Sequence, residues 1–171
     1  HPHNQLRLHA TGNFKSLTTA PAKPPATLIY IDHNRHVKKH PNENWARELM
    51  ELFTLGIGNY TEDDIKESAR AFTGWTFRQD RFVTNQKVHD TGSKTFLGKT
   101  GNFAGDDILD IIFEQEATAQ FICIKLYTFF AHEEPDEAVI QAMTLEFRSN
   151  GYEIKPVLEK LFMSKAFYHS K

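Results

Sequence analysis

Apolar residues recur at intervals of three and four positions along most of this 171-residue chain, a pattern that predicts a mainly α fold. In the second half it predicts helices at about 106–114, 117–131, 136–148 and 154–162, and Pro135 indicates the start of the third of these. The same period places six phenylalanines in the core: Phe113, Phe121, Phe129, Phe130, Phe147 and Phe162. We therefore expect a multi-helix orthogonal bundle.

The clearest pair of elements is an αα-hairpin between residues 42 and 74. Asn42 or Asn44 can cap its first helix, and Gly56 ends that helix as a left-handed cap. The apolar residues predicted to share the face of Trp45 are Leu49, Leu52 and Phe53.

The second helix of the hairpin begins at Thr61, with Asp64 three residues later as its capping-box partner. Its apolar face repeats at helical spacing, and Gly74 closes the segment. The residues on that face are Ile65, Ala69 and Phe72.

The remaining segments are less regular. Residues from Asn4 to Leu17 predict a short helix and a turn, and the proline-rich stretch from Thr19 to Pro25 predicts a connector that cannot continue a helix. The stretch from Thr27 to Asp32 could be a strand or one helical turn. Residues 75–98 alternate loosely, which predicts a small β-hairpin or an irregular excursion.

Length and charge narrow the function classes. A chain of this size suits a single domain, residues 1–171. The net charge of −2 gives no attraction to nucleic acid, and no apolar run reaches the ~20 residues that cross a bilayer. The single cysteine, Cys123, lies in an apolar run and is expected to be buried. The first residues do not resemble a signal peptide.

Charged residues are unusually dense in the hairpin. Glu43, Arg47 and Glu51 stand four residues apart, which is typical of a ladder of surface ion pairs. In the alternative interpretation, Glu48 and Glu51 point inward, where arginine and lysine side chains neutralise them. The expected partners in that buried network are Arg47, Arg70 and the Lys94 segment.

The pair His89 and Asp90, followed by Lys94, is the best candidate for chemistry. A histidine beside carboxylates and lysine could act as a general base or bind a metal ion. The simpler alternative is that His89 caps a loop or binds a main-chain carbonyl. A metal site would need convergence on Glu48 and Glu51, and no familiar metal-binding motif supports one.

Other conspicuous side chains have simpler interpretations. The loop that holds His33, His36 and His40 favours a solvated basic surface over a zinc site, because it has no partner cysteine. Aromatic residues around the hairpin could line a groove for sugar rings or close over a small core. These are Trp45, Trp75, Phe77 and Phe82.

Several motifs, in order along the chain, resemble a bacterial family called domain of unknown function 1800. The hairpin carries the longest of them: 42–56, Tyr60-Thr61, Asp64, Ala69-Arg70 and Thr73-Gly74-Trp75. Shorter matches flank it at Gly12-Asn13-Phe14, His89-Asp90, Gly92, Lys94 and Leu97-Gly98. Distal matches include Lys125-Leu126 and Phe167-Tyr168, so the resemblance spans nearly the whole chain.

The resemblance implies a cellular location for the protein but leaves its activity open. Members of the family are larger, which implies that this chain is an internal-to-C-terminal portion of a longer protein. They are often exported and encoded beside another uncharacterised family, domain of unknown function 1501. The expected location is therefore the cell envelope or the exterior, with another exported protein as the expected partner. The family brings no established cofactor or catalytic residue.

Two hypotheses of function remain. The first is a binding or scaffold module whose polar residues specify the fold and present a surface to a partner. The second is a hydrolase-like enzyme, with or without a metal ion. Under either hypothesis the candidate polar site comprises Asn44, Arg47, Glu48, Glu51, Arg70, Trp75, His89, Asp90 and Lys94.

Overall fold

The computed structural model describes residues 2–23, 37–79 and 81–168. The expected strand or helical turn from Thr27 to Asp32 lies outside these residues, as do His33 and His36 of the basic loop. His40, the third histidine of that loop, is exposed and forms an isolated β-bridge with Val37.

The fold is mainly α, as predicted, with two small antiparallel β-hairpins. The first half contains α1 (Pro2–His9), α2 (Phe14–Ala22), α3 (Glu43–Glu48), a π-helix (Leu49–Thr54) and α4 (Glu62–Ala71). The hairpin strands are β1 (Trp75–Arg78), β2 (Arg81–Thr84), β3 (Lys94–Phe96) and β4 (Lys99–Gly101). The second half contains α5 (Gly105–Glu114), α6 (Glu116–Phe130), α7 (Glu137–Ser149), α8 (Ile154–Phe162) and α9 (Lys165–Tyr168).

The predicted helices of the second half begin and end within a residue of their observed bounds. Asp136 caps α7 by accepting hydrogen bonds from two main-chain amides, which fixes the start that Pro135 indicates. The small β-hairpin predicted within residues 75–98 is also confirmed, as β1 and β2. A second hairpin, β3 and β4, follows it and ends at Gly101, beyond the predicted segment. No helix in the described part of the chain is long and apolar enough to cross a membrane.

The αα-hairpin of α3 and α4 is confirmed together with its caps. The Asn42 side chain accepts a hydrogen bond from the main-chain amide of Asn44. Thr61 and Asp64 form a reciprocal capping box, in which each side chain accepts from the other residue's amide. Gly74 follows with a φ of 84°, which suits glycine.

Replacing Thr61 with alanine removes one half of this capping box. We expect a loss of about 1 kcal/mol in the free energy of unfolding, the usual contribution of an N-cap side chain. Urea unfolding checks the value. Thr61→Ser, which keeps the hydroxyl, is the control and should stay close to the wild type; an equal loss in both variants would contradict the cap as the cause.

The first helix of the hairpin departs from the predicted pattern. It continues into a π-helix, where the amide of Leu55 donates to the carbonyl of Met50, five residues back. The extra residue in that turn changes the face on which later side chains lie. Leu49 is buried as predicted, and the ring of Phe53 lies 6.4 Å from that of Trp45, on the predicted face, although Phe53 is partly exposed. The prediction for Leu52 was wrong, since it is exposed.

The connector prediction was also wrong where it overlaps the described residues. The helix α2 continues through Pro21 to Ala22. A proline removes only one main-chain donor, and burial of Phe14 and Ala22 at the two ends of α2 outweighs that loss.

Two hydrophobic clusters form the core. The first lies among α2, α3, the π-helix, α4, β1, β3 and α5, and the second among α2, α5, α6, α7 and α8. Helix α5 contributes to both, since Ile108 belongs to the first cluster and Phe113 to the second. Cys123 is buried as predicted, and desolvation raises the pKa of its thiol to about 12.

Two of the six phenylalanines assigned to the core were predicted wrongly. Phe129 and Phe130 are exposed at the end of α6, although Phe130 contacts the ring of Phe162. The helical period predicts a helix, but it does not indicate which turns extend beyond the neighbouring elements and are therefore exposed. At the C-terminal end of α6 the apolar pattern therefore continues past the core.

Candidate functional site

The segment that connects β2 to β3 is held against the end of α4 by a set of polar side chains, which we call the polar cluster. It brings together four of the predicted site residues and two others. Its members are Glu67, Arg70, Thr73, His89, Asp90 and Lys94.

Arg70 lies at the centre of the polar cluster between two carboxylates. Its Nε donates to Asp90 Oδ2 at 2.8 Å, and its Nη2 donates to Asp90 Oδ1 at 3.2 Å. Its Nη1 donates to Glu67 at 2.8 and 2.9 Å. All three side chains are largely shielded from solvent, with 18–28% of each exposed. The paired geometry therefore links the last turn of α4 to the β2–β3 segment.

These contacts stabilise charged forms. Hydrogen bonds from Arg70 are the main cause of a lowered Asp90 pKa, and the amide of Gly92 acts in the same direction. The same hydrogen bonds raise the pKa of Arg70. Both groups therefore remain ionised at neutral pH.

Thr73 and His89 form the buried side of the polar cluster. Thr73 Oγ1 donates to the carbonyl of Arg70 at 2.6 Å and accepts from the amide of Asp90 at 2.8 Å. His89 Nδ1 lies 2.7 Å from the carbonyl oxygen of Thr73. A carbonyl only accepts, so the proton of this hydrogen bond is on Nδ1. This is the arrangement that the simpler interpretation of His89 describes.

Lys94 is the most deeply buried charge of the described residues, with 1% of the residue exposed. Its Nζ donates to the main-chain carbonyls of Asp90 at 2.6 Å and Gly92 at 2.9 Å. Desolvation is the main cause of its lowered pKa. The ammonium group thus ties the turn at residues 90–92 to the start of β3.

Carboxylates of α4 also hold strand β3 and the turn that follows it. Glu67 accepts from the amide of Thr95 at 3.1 Å, and Asp64 accepts from the amide of Leu97 at 2.8 Å. Asp64 therefore serves both the capping box of α4 and the docking of the second β-hairpin. The helix supplies acceptors that a lone two-stranded hairpin lacks.

The other predicted site residues lie elsewhere. Arg47 forms a bidentate ion pair with Glu62 of α4, so the expected ladder with Glu43 and Glu51 was wrong. Within the described residues neither Glu48 nor Glu51 forms an ion pair with a member of the polar cluster. The interpretation of a buried network that includes them was therefore wrong as well.

Asn44 is exposed, and Glu48 is half-buried on α3. Trp75 is buried in the first core cluster, where it packs edge-on against Phe72 and Phe82. Trp45 is buried too, so both tryptophans close over a core.

Glu51 accepts a long hydrogen bond of 3.3 Å from the hydroxyl of Tyr60. Because Glu51→Gln retains an acceptor and separates no buried charge pair, we expect the free energy of unfolding to change by less than about 0.5 kcal/mol. Urea unfolding gives the value. A loss near 3 kcal/mol would indicate a buried arginine partner, contrary to the structure.

Sequence reasoning missed Glu67 and Thr73. Glu67 precedes Arg70 by three residues on one helix, a spacing that indicates a pair. Thr73 precedes the positive-φ Gly74 at the helix end, where a hydroxyl can bind a free carbonyl. Both signals are visible in the sequence, but the link to Asp90 depends on tertiary structure.

Among the described residues, no metal-ligand set coincides with the polar cluster, and three surface grooves lie away from it. No group of three His, Cys, Asp or Glu side chains among residues 2–23, 37–79 and 81–168 could hold a metal ion. Three surface grooves lie between α6 and α7, on the β1–β2 hairpin, and between α7 and α8. None of the three is lined by Arg70, His89 or Lys94.

Comparison with known proteins gives one match. A family model described as "Protein of unknown function (DUF1800)" matches residues 1–171. No curated protein and no solved structure is significantly similar to the chain.

Proposed function

The chain belongs to the DUF1800 family, and from its geometry we propose that it is a binding or scaffold module of an exported bacterial protein. In this proposal the polar cluster specifies the fold of the β2–β3 segment. The surface that this fold presents, rather than a reaction centre, performs the function.

The proposal rests on one observation: the carboxylates, Lys94 and His89 of the polar cluster are engaged in contacts within the protein. Both carboxylates are paired with Arg70, and Lys94 donates to two main-chain carbonyls. His89 binds a third carbonyl through Nδ1. Groups so engaged stabilise structure, whereas a nucleophile or general base needs an atom directed at a substrate.

The alternative function is a hydrolase-like enzyme, with or without a metal ion. One contact favours it: Nδ1 carries the proton that binds the Thr73 carbonyl, so in the neutral form of the ring Nε2 of His89 would be the acceptor, as in a general base or a metal ligand. In that case His89, Asp90 and Arg70 would surround the substrate.

Metal analysis and a thermal-shift screen against metal ions and hydrolase substrates separate the two functions. We expect the wild type and His89→Ala to respond alike to every compound, with the variant starting from a lower melting temperature. His132→Ala is the matched control, since His132 also lies against a main-chain carbonyl, that of Ala166, at 2.9 Å. A bound metal or a ligand shift lost only in His89→Ala would favour the enzyme.

The proposed location outside the cytoplasm is tested by a separate experiment. Family resemblance supports export, with the cell envelope or the exterior as the destination and another exported protein as partner. Fractionation of the source bacterium, followed by detection with an antibody to this chain, should find the protein outside the cytoplasm. Recovery in the cytoplasmic fraction would contradict export while leaving the binding module possible.

A further inference from the structure

A strip of apolar side chains remains exposed where the π-helix meets α6. Ile57 and Phe129 are 79% and 80% exposed, and Leu52 is 48% exposed. We call these three residues, with Phe121 and Lys125, the apolar strip. Large apolar side chains exposed together are typical of interaction sites.

Two close approaches join the α6 part of the apolar strip to the π-helix and to the loop that follows it. Phe121, Lys125 and Phe129 are four residues apart on α6 and so share one face over ~12 Å. Lys125 Nζ donates to the carbonyl of Leu52 at 2.9 Å, which joins that face to the π-helix. The loop that carries Ile57 begins at Gly56, where an added Cβ would lie 2.6 Å from the ring of Phe121.

Lys125 places a positive charge in the middle of the apolar strip. Its Nζ lies 4.6 Å from the centroid of the Phe121 ring, and it forms no ion pair with a carboxylate of the described residues. The neighbouring ring and carbonyl attract the ammonium group but do not neutralise it. A partner that covers the strip must therefore supply a negative charge or leave this one desolvated and unpaired.

We propose that the apolar strip binds an amphipathic helix of another protein whose apolar face carries one carboxylate opposite Lys125. This inference rests on the proposed binding function and gives it a partner class. The exposed apolar area is on the order of 400 Å², half of what each subunit of a stable dimer buries, and so suits a short helix. A membrane surface would favour several cations rather than one.

A displayed library of helical peptides tests the charge pairing. The peptides have leucines at positions i, i+3, i+7 and i+10, one randomised position within this stripe, and are selected against the biotinylated chain. We expect selection to enrich Asp or Glu at the randomised position. Selection against Lys125→Glu should enrich Lys or Arg there instead.

Binding of a selected acidic peptide is then measured by fluorescence anisotropy. We expect Lys125→Gln to weaken it by about fivefold, the size of one exposed ion pair, and Phe129→Ser by about tenfold. Leu145→Ser is the control, since Leu145 is 64% exposed on α7, beside the groove that the other face of α6 lines. It should bind like the wild type, and thermal unfolding verifies that each variant is folded.

Three outcomes would overturn the inference. Enriched peptides could show no preference for an acidic residue, or they could bind Phe129→Ser as tightly as the wild type. If Phe129→Ser binds as tightly as the wild type, the chain would still be a binding module, but its binding surface would lie away from the apolar strip. The third is that no peptide is enriched while vesicles containing phosphatidylglycerol bind the chain through Lys125, which would make the strip a lipid site. None of these outcomes tests the enzyme alternative, which the His89 screen decides.

Discussion

Replacing Gly74 with alanine is expected to lower the free energy of unfolding by about 3 kcal/mol, for two separate reasons. The φ of 84° is strained for any residue with a Cβ. The added Cβ would also lie 2.7 Å from the main-chain oxygen of Asn85, which cannot swing aside as a side chain could. The amide of Asn85 donates to the Gly74 carbonyl at 2.7 Å, so relieving the clash would break a hydrogen bond.

Gly98→Ala separates the two reasons. Gly98 has a φ of 79°, but an added Cβ there would meet nothing within 4 Å. We expect this control to lose only about 1 kcal/mol, from backbone strain alone. Urea unfolding of both variants measures the difference. Equal losses would show that the close approach of residues 74 and 85 contributes nothing.

Replacing Arg70 with methionine should lower the free energy of unfolding at pH 7 by about 2–3 kcal/mol, because it leaves two largely shielded carboxylates without their shared cation. The expected loss is smaller than for a fully buried pair, since about a fifth of each side chain is exposed. Hydrogen-bonded contacts to both Glu67 and Asp90 disappear together.

The loss should depend on pH. The pKa of Asp90 is lower in the folded chain than in the unfolded chain, so its stabilising contribution is complete above the ordinary carboxyl value of about 3.9. It disappears as the pH falls through the lower folded-state value. The wild type should therefore lose stability below pH 4 more steeply than Arg70→Met, and unfolding measured from pH 2 to 7 compares the two slopes.

Arg47→Met is the matched control for Arg70→Met. Arg47 also forms a bidentate pair, with Glu62, but both groups are accessible to solvent. Water replaces the lost contacts there, so the variant should be clearly less affected than Arg70→Met. If both variants unfold at the same urea concentration, the shielding of the polar cluster has no energetic consequence.

Local signals in the sequence were sufficient for much of the fold. The pattern of Thr61 and Asp64 predicts the start of α4, and Pro135 predicts the start of α7, because caps depend on neighbours within one turn. The π-helix could not be predicted in this way. Its wider turn is stabilised by packing of Leu49 and Met50, and it reverses the expected exposure of Leu52.

The candidate site, too, could be predicted from the sequence only where its contacts are local. Arg70 pairs with two carboxylates as expected, but they are Asp90 and Glu67 rather than Glu48 and Glu51. Lys94 binds main-chain carbonyls instead of a carboxylate side chain. Residues on one helix can be paired by spacing. Which of several acidic residues reaches a distant arginine depends on the path of the chain between them.

Asp64 couples the opening of the first turn of α4 to the opening of the second β-hairpin. One of its oxygens closes the first turn of α4, and the other accepts the amide of Leu97, 33 residues later. Fraying of that helix turn would release the turn between β3 and β4 at Leu97, and release of the β3–β4 turn would in the same way loosen the start of the helix. Native-state hydrogen exchange should therefore find the amides of Asp64 and Leu97 opening together as one cooperative unit.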